Sequence, residues 1–350
     1  MRLLPIAATS ACLVLAGIAA WQIIESPDSI DDVPPYSEPP DPADASVEVS
    51  IIEGESPEDI GKELEAAGAI GSATQFEILV SLLGYQGSLQ AGEYEFTPAT
   101  PELDALYRVR RGVVSARTVT VLEGWRLEEV ADAFEAQGIP RDEFIAQARV
   151  RNFDFAFLDG LGGSATLEGY LFPARYPVRK GDTATDVLTG MLQSFESNVP
   201  PDIAEQAEAD GLTLHEVVTL ASIIEREAVV PEERPVMAQV FLRRLREGIP
   251  LGADPTVQYA VAEDPDSVEL YGYWKQELTR SDLEIDSRYN TYQERGLPPG
   301  PISNPRLDSI VAVVNPADTN YLYFVAKPDG SHAFASTLEE HQRNVDRYQR

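Results

Sequence analysis

A continuous apolar segment near the amino terminus constrains this chain more than any other feature. It runs for 22 residues from Leu3 to Ile24, and a helix of that length spans the hydrocarbon core of a bilayer. Arg2 precedes it and acidic residues follow it, so the positive-inside rule predicts that the chain from residue 25 onward lies outside the cytoplasm. A cleaved signal peptide is the alternative. We favour a membrane anchor over residues 1–24 because the segment is longer than the usual apolar core of a signal peptide.

The segment that follows the anchor is predicted to stay extended. Residues 25–46 contain six prolines and many acidic residues, with little apolar surface to bury, which is typical of a solvated tether. A tether of this kind implies that the rest of the chain works close to the membrane.

Charge and cysteine content exclude several classes of function. The chain has 27 basic and 58 acidic residues, a net charge of −31, and such a surface repels the phosphate backbone of nucleic acid. Hydrophobic residues still make up 43%, which is enough to build a folded core. The single cysteine, Cys12, excludes an intramolecular disulfide and a cysteine-based zinc site.

An internal repeat opens the predicted folded part. The sequence from Val49 to Ile70 matches that from Val119 to Ile139 at a constant offset of 70, and each copy predicts a strand, a glycine turn and a helix. Between the copies, the pattern predicts a helix over 73–83, a strand over 94–96 and a helix over 101–109. We therefore expect an α+β fold with a small domain over 47–117 and a larger, mixed α/β domain over 118–350. The small domain resembles the LysM modules that bind glycans, and a purely structural α+β unit is the alternative.

A glutamate lies in the centre of the apolar face of the helix predicted from Leu214. At 100° per residue, Glu225 falls among apolar residues, whereas Arg226 and Glu227 fall on the solvated side. Desolvation keeps a carboxyl in such a position protonated near neutral pH, which is what a general acid requires. A structural glutamate that pairs with an arginine is the alternative.

The next predicted helix offers such an arginine. Arg244 lies on its apolar side, while Arg243 and Arg246 lie towards the other side. Arg244 could pair with Glu225, or both groups could face one cleft in which the guanidinium meets a carboxylate of the substrate. The pattern leaves both interpretations open.

The remaining candidate residues lie further along the chain. Segments rich in aromatic residues, Asn, Pro and Gly predict rigid exposed loops, whose Tyr and Asn side chains suit stacking on sugars and hydrogen bonding to them; structured turns are the alternative. The three histidines lack a spacing typical of metal ligands, so we expect no metal site and no cofactor. A strand is predicted at Tyr321–Ala326, and His332 begins the strand that pairs back with it. The candidate cleft residues in this part of the chain are Asp254, Tyr259, Tyr289, Asn290, Thr291 and His332.

Six motifs in register resemble the YceG-like, or MltG, family of endolytic murein transglycosylases, and the resemblance covers most of the chain. The motifs are LEGYLFP from residue 167, ASIIEREA from 221, DPTVQYA from 254, YNTY from 289, GLPPGPI from 296 with SNP from 303, and YLYFVA from 321 with the nearby His332. The resemblance implies cleavage of the β-1,4 bond between N-acetylmuramic acid and N-acetylglucosamine inside peptidoglycan strands. It also implies that no water takes part, that a 1,6-anhydromuramic end remains, and that Glu225 is the catalytic glutamate.

The resemblance also implies a setting for this activity. The expected enzyme is anchored in the bacterial cell membrane by a single helix, acts outside the cytoplasm on nascent glycan strands, terminates their elongation and works beside peptidoglycan synthases. A non-catalytic, membrane-anchored peptidoglycan-binding protein is the alternative function. The two differ in whether the chain turns over glycan strands or only binds them.

Overall fold

The structure is a computed structural model that describes residues 46–52, 54–112, 117–179 and 181–349. The anchor predicted at 1–24, and all of the predicted tether except residue 46, lie outside these ranges. None of the helices in these ranges is long and apolar enough to cross a bilayer. The chain divides into two compact units, residues 1–115 and residues 116–350.

The first unit has a strand–helix–helix–strand order followed by a third helix. Its elements are β1 (Val47–Ile51), α1 (Pro57–Ala66), α2 (Ala73–Leu83), β2 (Gly92–Phe96) and α3 (Glu102–Arg111). β1 and β2 pair antiparallel, with Val47 opposite Phe96. Ser56 caps α1 by accepting a hydrogen bond from the backbone N–H of Asp59, as a serine before an apolar helix is expected to do.

The described part of the second unit is mainly helical, with two small sheets. In chain order its elements are β3 (Arg117–Thr120), α4 (Leu127–Glu135), α5 (Arg141–Gln147), β4 (Arg175–Val178), α6 (Ala184–Asn198), α7 (Asp202–Ala209), α8 (Leu214–Glu227), α9 (Arg234–Glu247), α10 (Asp254–Val261), α11 (Pro265–Tyr271), α12 (Arg280–Leu283), α13 (Leu307–Val314), β5 (Tyr323–Ala326), β6 (His332–Ala335) and α14 (Leu338–Tyr348). β3 pairs with β4 and β5 with β6, both antiparallel. The two copies of the repeat thus form β1–α1 and β3–α4.

Helix α8 lies at the centre of the second unit. Every residue from Val217 to Ile224 is buried, and α9 and α13 pack against the helix. A capping box between Thr213 and Glu216 fixes where α8 begins. The buried surround holds α8 rigidly, so the side chains of its last turn take defined positions.

The structure differs from the sequence expectation after α9. Residues 254–261 form helix α10, where exposed loops are expected, because Pro255 occupies the first turn and Val257 and Ala260 bury an apolar face. The residues from Pro231 to Glu233 form a separate turn of 3₁₀-helix, and α9 begins at Arg234.

Candidate active site

Glu225 is held in an ion pair on one side of α8. Its carboxylate accepts hydrogen bonds from the Arg306 guanidinium (Nε–Oε1, 2.8 Å), from the backbone N–H of Arg306 (3.2 Å) and from the Ser309 hydroxyl (2.7 Å). The Glu225 side chain is only 3% exposed. The sequence leaves Glu225 either as a general acid or as a structural glutamate that pairs with an arginine. The structure gives it an arginine partner, Arg306 rather than Arg244, as the structural alternative expects, and the catalytic role of Glu225 stays a prediction.

Glu227 points to the opposite side of the same helix, since residues two positions apart on a helix diverge by about 200°. The helical wheel places it on the solvated side. In the structure it instead lines a cleft of about 570 Å³. Within the described part of the chain, its carboxyl makes no hydrogen bond.

The cleft gathers residues from distant parts of the second unit. It is bounded by the end of α8, by α9, by the segment before α10, by β5 and β6, and by α14. Its lining includes Glu227, Arg244, Gly252, Asp254, Tyr292, Tyr323, Phe324, His332, Leu338 and His341. Three of the predicted cleft residues, Arg244, Asp254 and His332, therefore meet in one place.

The surroundings of Glu227 favour its neutral form. Burial raises the pKa of Glu227 to about 8, the negative charge of Asp254 adds to the rise, and Arg244 opposes it. A carboxyl with this pKa is mostly protonated at neutral pH and can still lose its proton without leaving the cleft. These are the properties of a group that acts as an acid and then as a base.

Arg244 is held in place by the backbone. Its Nε donates to the carbonyl of Leu322 (2.7 Å) and one terminal nitrogen donates to the carbonyl of Leu251 (2.6 Å). Burial lowers the pKa of Arg244, and the charge of Glu227 opposes that change. The guanidinium carbon lies 5.4 Å from the ring centre of Tyr323. A fixed positive charge beside Glu227 stabilises its carboxylate whenever the proton leaves.

Asp254 and Tyr292 form a second polar pair in the cleft. The Tyr292 hydroxyl donates to Asp254 Oδ1 at 2.6 Å. Burial raises the pKa of Tyr292, and the bond to Asp254 raises it further. Tyr292 is 40% exposed, so part of its ring remains available to a ligand.

Asn290 and Thr291 are fully buried and hold the cleft wall from behind. The Asn290 amide donates to the carbonyls of Leu283 and Ile285. Thr291 Oγ1 accepts the backbone N–H of Ala253 (3.0 Å) and lies 2.8 Å from the Thr256 hydroxyl. With exposures of 0% and 1%, they position Asp254 and Tyr292 and make no contact with solvent themselves.

Tyr259 and Tyr289 form a separate aromatic cluster that is not part of the cleft lining. Their ring centres lie 4.7 Å apart, and the guanidinium carbon of buried Arg126 lies 4.1 Å from the ring centre of Tyr259. Glu168 contributes to the rise in the pKa of both tyrosines, after the larger effect of burial. Burial also raises the pKa of Glu168 itself to about 8.

No group of three or more His, Cys, Asp or Glu side chains is arranged to hold a metal ion in the ranges that the structure describes. Among the cleft residues that the sequence-based selection misses are Glu227, Tyr292, Tyr323 and His341. One available signal was the second carboxylate of the ASIIEREA motif. A helical wheel places Glu227 on the solvated side because a wheel describes one helix alone, without the elements that pack against its end.

Comparisons with known proteins agree with the motifs. The model of the YceG-like family matches residues 49–347. A Bacillus subtilis protein named endolytic murein transglycosylase is 35% identical over 318 residues, which cover 87% of this chain and 85% of that protein. Proteins of the same name from two Streptococcus pneumoniae strains are 31% and 30% identical over 324 residues; the match covers 85% of this chain but 58% of theirs. The crystal structure of a yceG-like protein from Listeria monocytogenes aligns with a TM-score of 0.58 and 31% identity, over 85% of this chain and 98% of that chain.

Proposed function

The chain belongs to the YceG-like family, and from this membership and the cleft around Glu227 we propose that it is an endolytic murein transglycosylase. Its substrate is the peptidoglycan strand, in which it cleaves the β-1,4 bond between N-acetylmuramic acid and N-acetylglucosamine. The muramic C6 hydroxyl takes the place of water, so the product carries a 1,6-anhydromuramic end.

Glu227 is the catalytic acid and base of this proposal. Protonated Glu227 donates its proton to the glycosidic oxygen as the bond to muramic C1 breaks. The resulting carboxylate accepts the proton of the C6 hydroxyl as O6 bonds to C1, which restores the starting state of the enzyme. An intramolecular nucleophile has a large advantage in effective concentration over water. The observation that carries the assignment is the Glu227 carboxyl in the cleft, which has no hydrogen-bond partner in the described ranges and whose pKa is raised to about 8.

Two charged neighbours tune this cycle in opposite directions. Asp254 keeps Glu227 protonated before the proton is donated, and Arg244 stabilises the carboxylate after donation. Because Asn290 and Thr291 hold the 253–254 and 291–292 segments together, they support the geometry of the acid without touching the glycan.

The test compares two glutamates of one helix. The full-length protein, solubilised in detergent, is incubated with purified peptidoglycan, and the products are analysed by mass spectrometry. We expect Glu227→Gln to abolish release of anhydromuropeptides, and Glu225→Gln to retain turnover in the folded fraction. Glu232→Gln, at an exposed position in the turn after α8, serves as the matched control and should match the wild type.

Three outcomes would contradict this account. Products with reducing ends would refute the water-free mechanism. An inactive but folded Glu225→Gln variant beside an active Glu227→Gln variant would return the acid to Glu225. Binding of wild-type protein to peptidoglycan without turnover would favour a non-catalytic binding protein.

The proposal extends to where the enzyme acts. The apolar segment at 1–24 with acidic residues after it supports a single-pass membrane anchor with the catalytic unit outside the cytoplasm, beside the synthases that make the strands. The strand–helix–helix–strand order of the first unit supports a LysM-like, glycan-binding role for the domain predicted over residues 47–117. Cleavage at this place would terminate strand elongation. Fractionation of bacterial membranes tests the anchor: a chain lacking residues 1–24 should lose its association with the membrane.

A further inference from the structure

His332 is held by a single glutamate at two points. Its ring Nδ1 lies 2.7 Å from Glu233 Oε2, and its backbone N–H donates to Glu233 Oε1 at 2.9 Å. Glu233 comes from the 3₁₀ turn between α8 and α9, whereas His332 is the first residue of β6. One carboxylate therefore fixes both the start of the strand and the imidazole ring.

The other ring nitrogen of His332 is left open to the cleft. The side chain is 5% exposed, and the residue belongs to the cleft lining. Nε2 makes no hydrogen bond within the described ranges, and it is not among their enclosed, unpartnered nitrogen atoms. Phe324 packs edge-on against the ring, with a centroid distance of 5.5 Å and an interplanar angle of 87°, which restricts rotation of the imidazole.

The contact with Glu233 decides which tautomer a neutral His332 adopts. A carboxylate can only accept a hydrogen bond, so Nδ1 must carry the proton. In a neutral imidazole the opposite nitrogen, Nε2, is then an acceptor. Nδ1–H with an open Nε2 lone pair is a defined chemical state, and it differs from that of an exposed histidine, in which both tautomers exchange freely.

We propose that Glu233 is a positioning residue that holds His332 as the Nδ1–H tautomer, so that Nε2 accepts a hydrogen bond from an O–H or N–H group of the glycan bound beside Glu227. The identity of the ligand rests on the proposed function, whereas the tautomer does not. A sugar carries several hydroxyl groups and an acetamido N–H that can donate hydrogen bonds. Nε2 of His332 adds one acceptor for them to the cleft that Glu227 and Asp254 line.

The tautomer can be read directly by NMR. The chain has three histidines, His215, His332 and His341, so long-range ¹H–¹⁵N spectra of histidine-labelled protein contain three ring patterns, and Glu233→Ala and His332→Gln variants assign the one from His332. At a pH high enough for the ring to be neutral, we expect the Nδ1–H pattern in the wild type and a mixture of tautomers in Glu233→Ala. An Nε2–H pattern in the wild type would overturn the proposal.

Contact with the glycan is tested separately. An N-acetylglucosamine tetramer, which carries the acetamido N–H and hydroxyl donors of the N-acetylglucosamine units of the strand, should shift the Nε2 resonance of His332 in the wild type. Loss of that hydrogen bond in His332→Ala or Glu233→Ala should lower kcat/KM by roughly tenfold. Glu233→Gln retains an acceptor for Nδ1–H and should recover part of the loss, while Glu232→Ala, in the same turn, should match the wild type.

The outcomes separate this proposal from the proposed function. If the wild type binds the tetramer but does not cleave strands, the proposed function fails. The shift of the Nε2 resonance still decides whether His332 accepts a hydrogen bond from the glycan. An unchanged Nε2 resonance on saturation with the tetramer would refute it, as would a folded Glu233→Ala variant with wild-type kcat/KM.

Discussion

Raising the pH through the pKa of Glu227 should switch off strand cleavage. With a pKa of about 8, about 90% of the carboxyl is protonated at pH 7, against about 0.3% for a glutamate at 4.5, a gain of about 300-fold in the acid form. Only the protonated form can donate to the glycosidic oxygen. The sign is therefore fixed: activity is full below about pH 7 and declines as the pH rises through about 8.

The charge of Asp254 provides a perturbation of known direction. Asp254 raises the pKa of Glu227, so Asp254→Asn should lower it and move the alkaline decline of kcat/KM to lower pH. The asparagine keeps the size of the side chain and an oxygen that can still accept from the Tyr292 hydroxyl. The position of the decline, not the absolute rate, is the quantity to compare, because Asp254 also lines the cleft.

The assay must separate Glu227 from another buried glutamate. Burial raises the pKa of Glu168 to about 8 as well, and both oxygens of its carboxyl lie 3.0 Å from the backbone nitrogen of Leu127. Glu168→Gln removes that titration and preserves the shape of the side chain. We expect its alkaline decline to coincide with that of the wild type when rates are measured on one peptidoglycan preparation from pH 5 to 10.

Two results would refute the reasoning. If Glu168→Gln abolishes or displaces the decline while Asp254→Asn leaves it in place, the titrating group is Glu168 and the effect reports the stability of the fold. If activity rises with pH through 8 in the wild type, the essential form of Glu227 is the carboxylate, and its assignment as the initial acid is wrong.

Two further predictions concern stability around the site. Glu225→Gln should lower the free energy of unfolding by about 1–3 kcal/mol in urea titrations, because Arg306 loses a charge-assisted partner. We expect the lower end of this range, since the Arg306 side chain is 37% exposed. An unchanged midpoint of unfolding would contradict a stabilising ion pair. Asn304→Ala should cost about 3 kcal/mol or more, because its buried amide oxygen accepts from the backbone of Gly169 and Leu171; thermal unfolding within about 2 °C of the wild type would contradict this.

Local signals in the sequence are sufficient for much of the fold. The helix predicted at 73–83 forms as α2, the strand at 94–96 lies within β2, and Ser56 caps α1, because each depends on residues a few positions apart. The repeat is detectable for the same reason, since each copy carries its own glycine turns, with Gly54 and Gly124 at φ +91° and +76°. The helix at 254–261 escapes notice because its apolar face is short and its sequence is rich in turn-forming residues.

The arrangement of the cleft depends on long-range packing and was only partly predictable. Arg244, Asp254 and His332 could be selected by residue type and motif. Asn290 and Thr291 could be selected too, but their buried hydrogen bonds to Leu283 and Ala253 appear only in three dimensions. A sequence pattern identifies a polar side chain without revealing whether its partner is a ligand or the protein's own backbone.

In the proposed function, Glu225 and Glu227 take different roles because of where α8 ends. Glu227 is its last residue, and the negative end of the helix dipole disfavours a carboxylate there, in the same direction as burial and Asp254. A carboxylate at the C-terminal end of a helix destabilises the last helical turn. Glu225, two positions earlier and on the other side, ties that turn to Arg306 and Ser309 at the start of α13. The Glu225–Arg306 ion pair thus fixes the last turn of α8, and Arg306 balances the charge of Glu225. The rigid helix end can then carry the Glu227 carboxyl, which makes no hydrogen bond within the described residues.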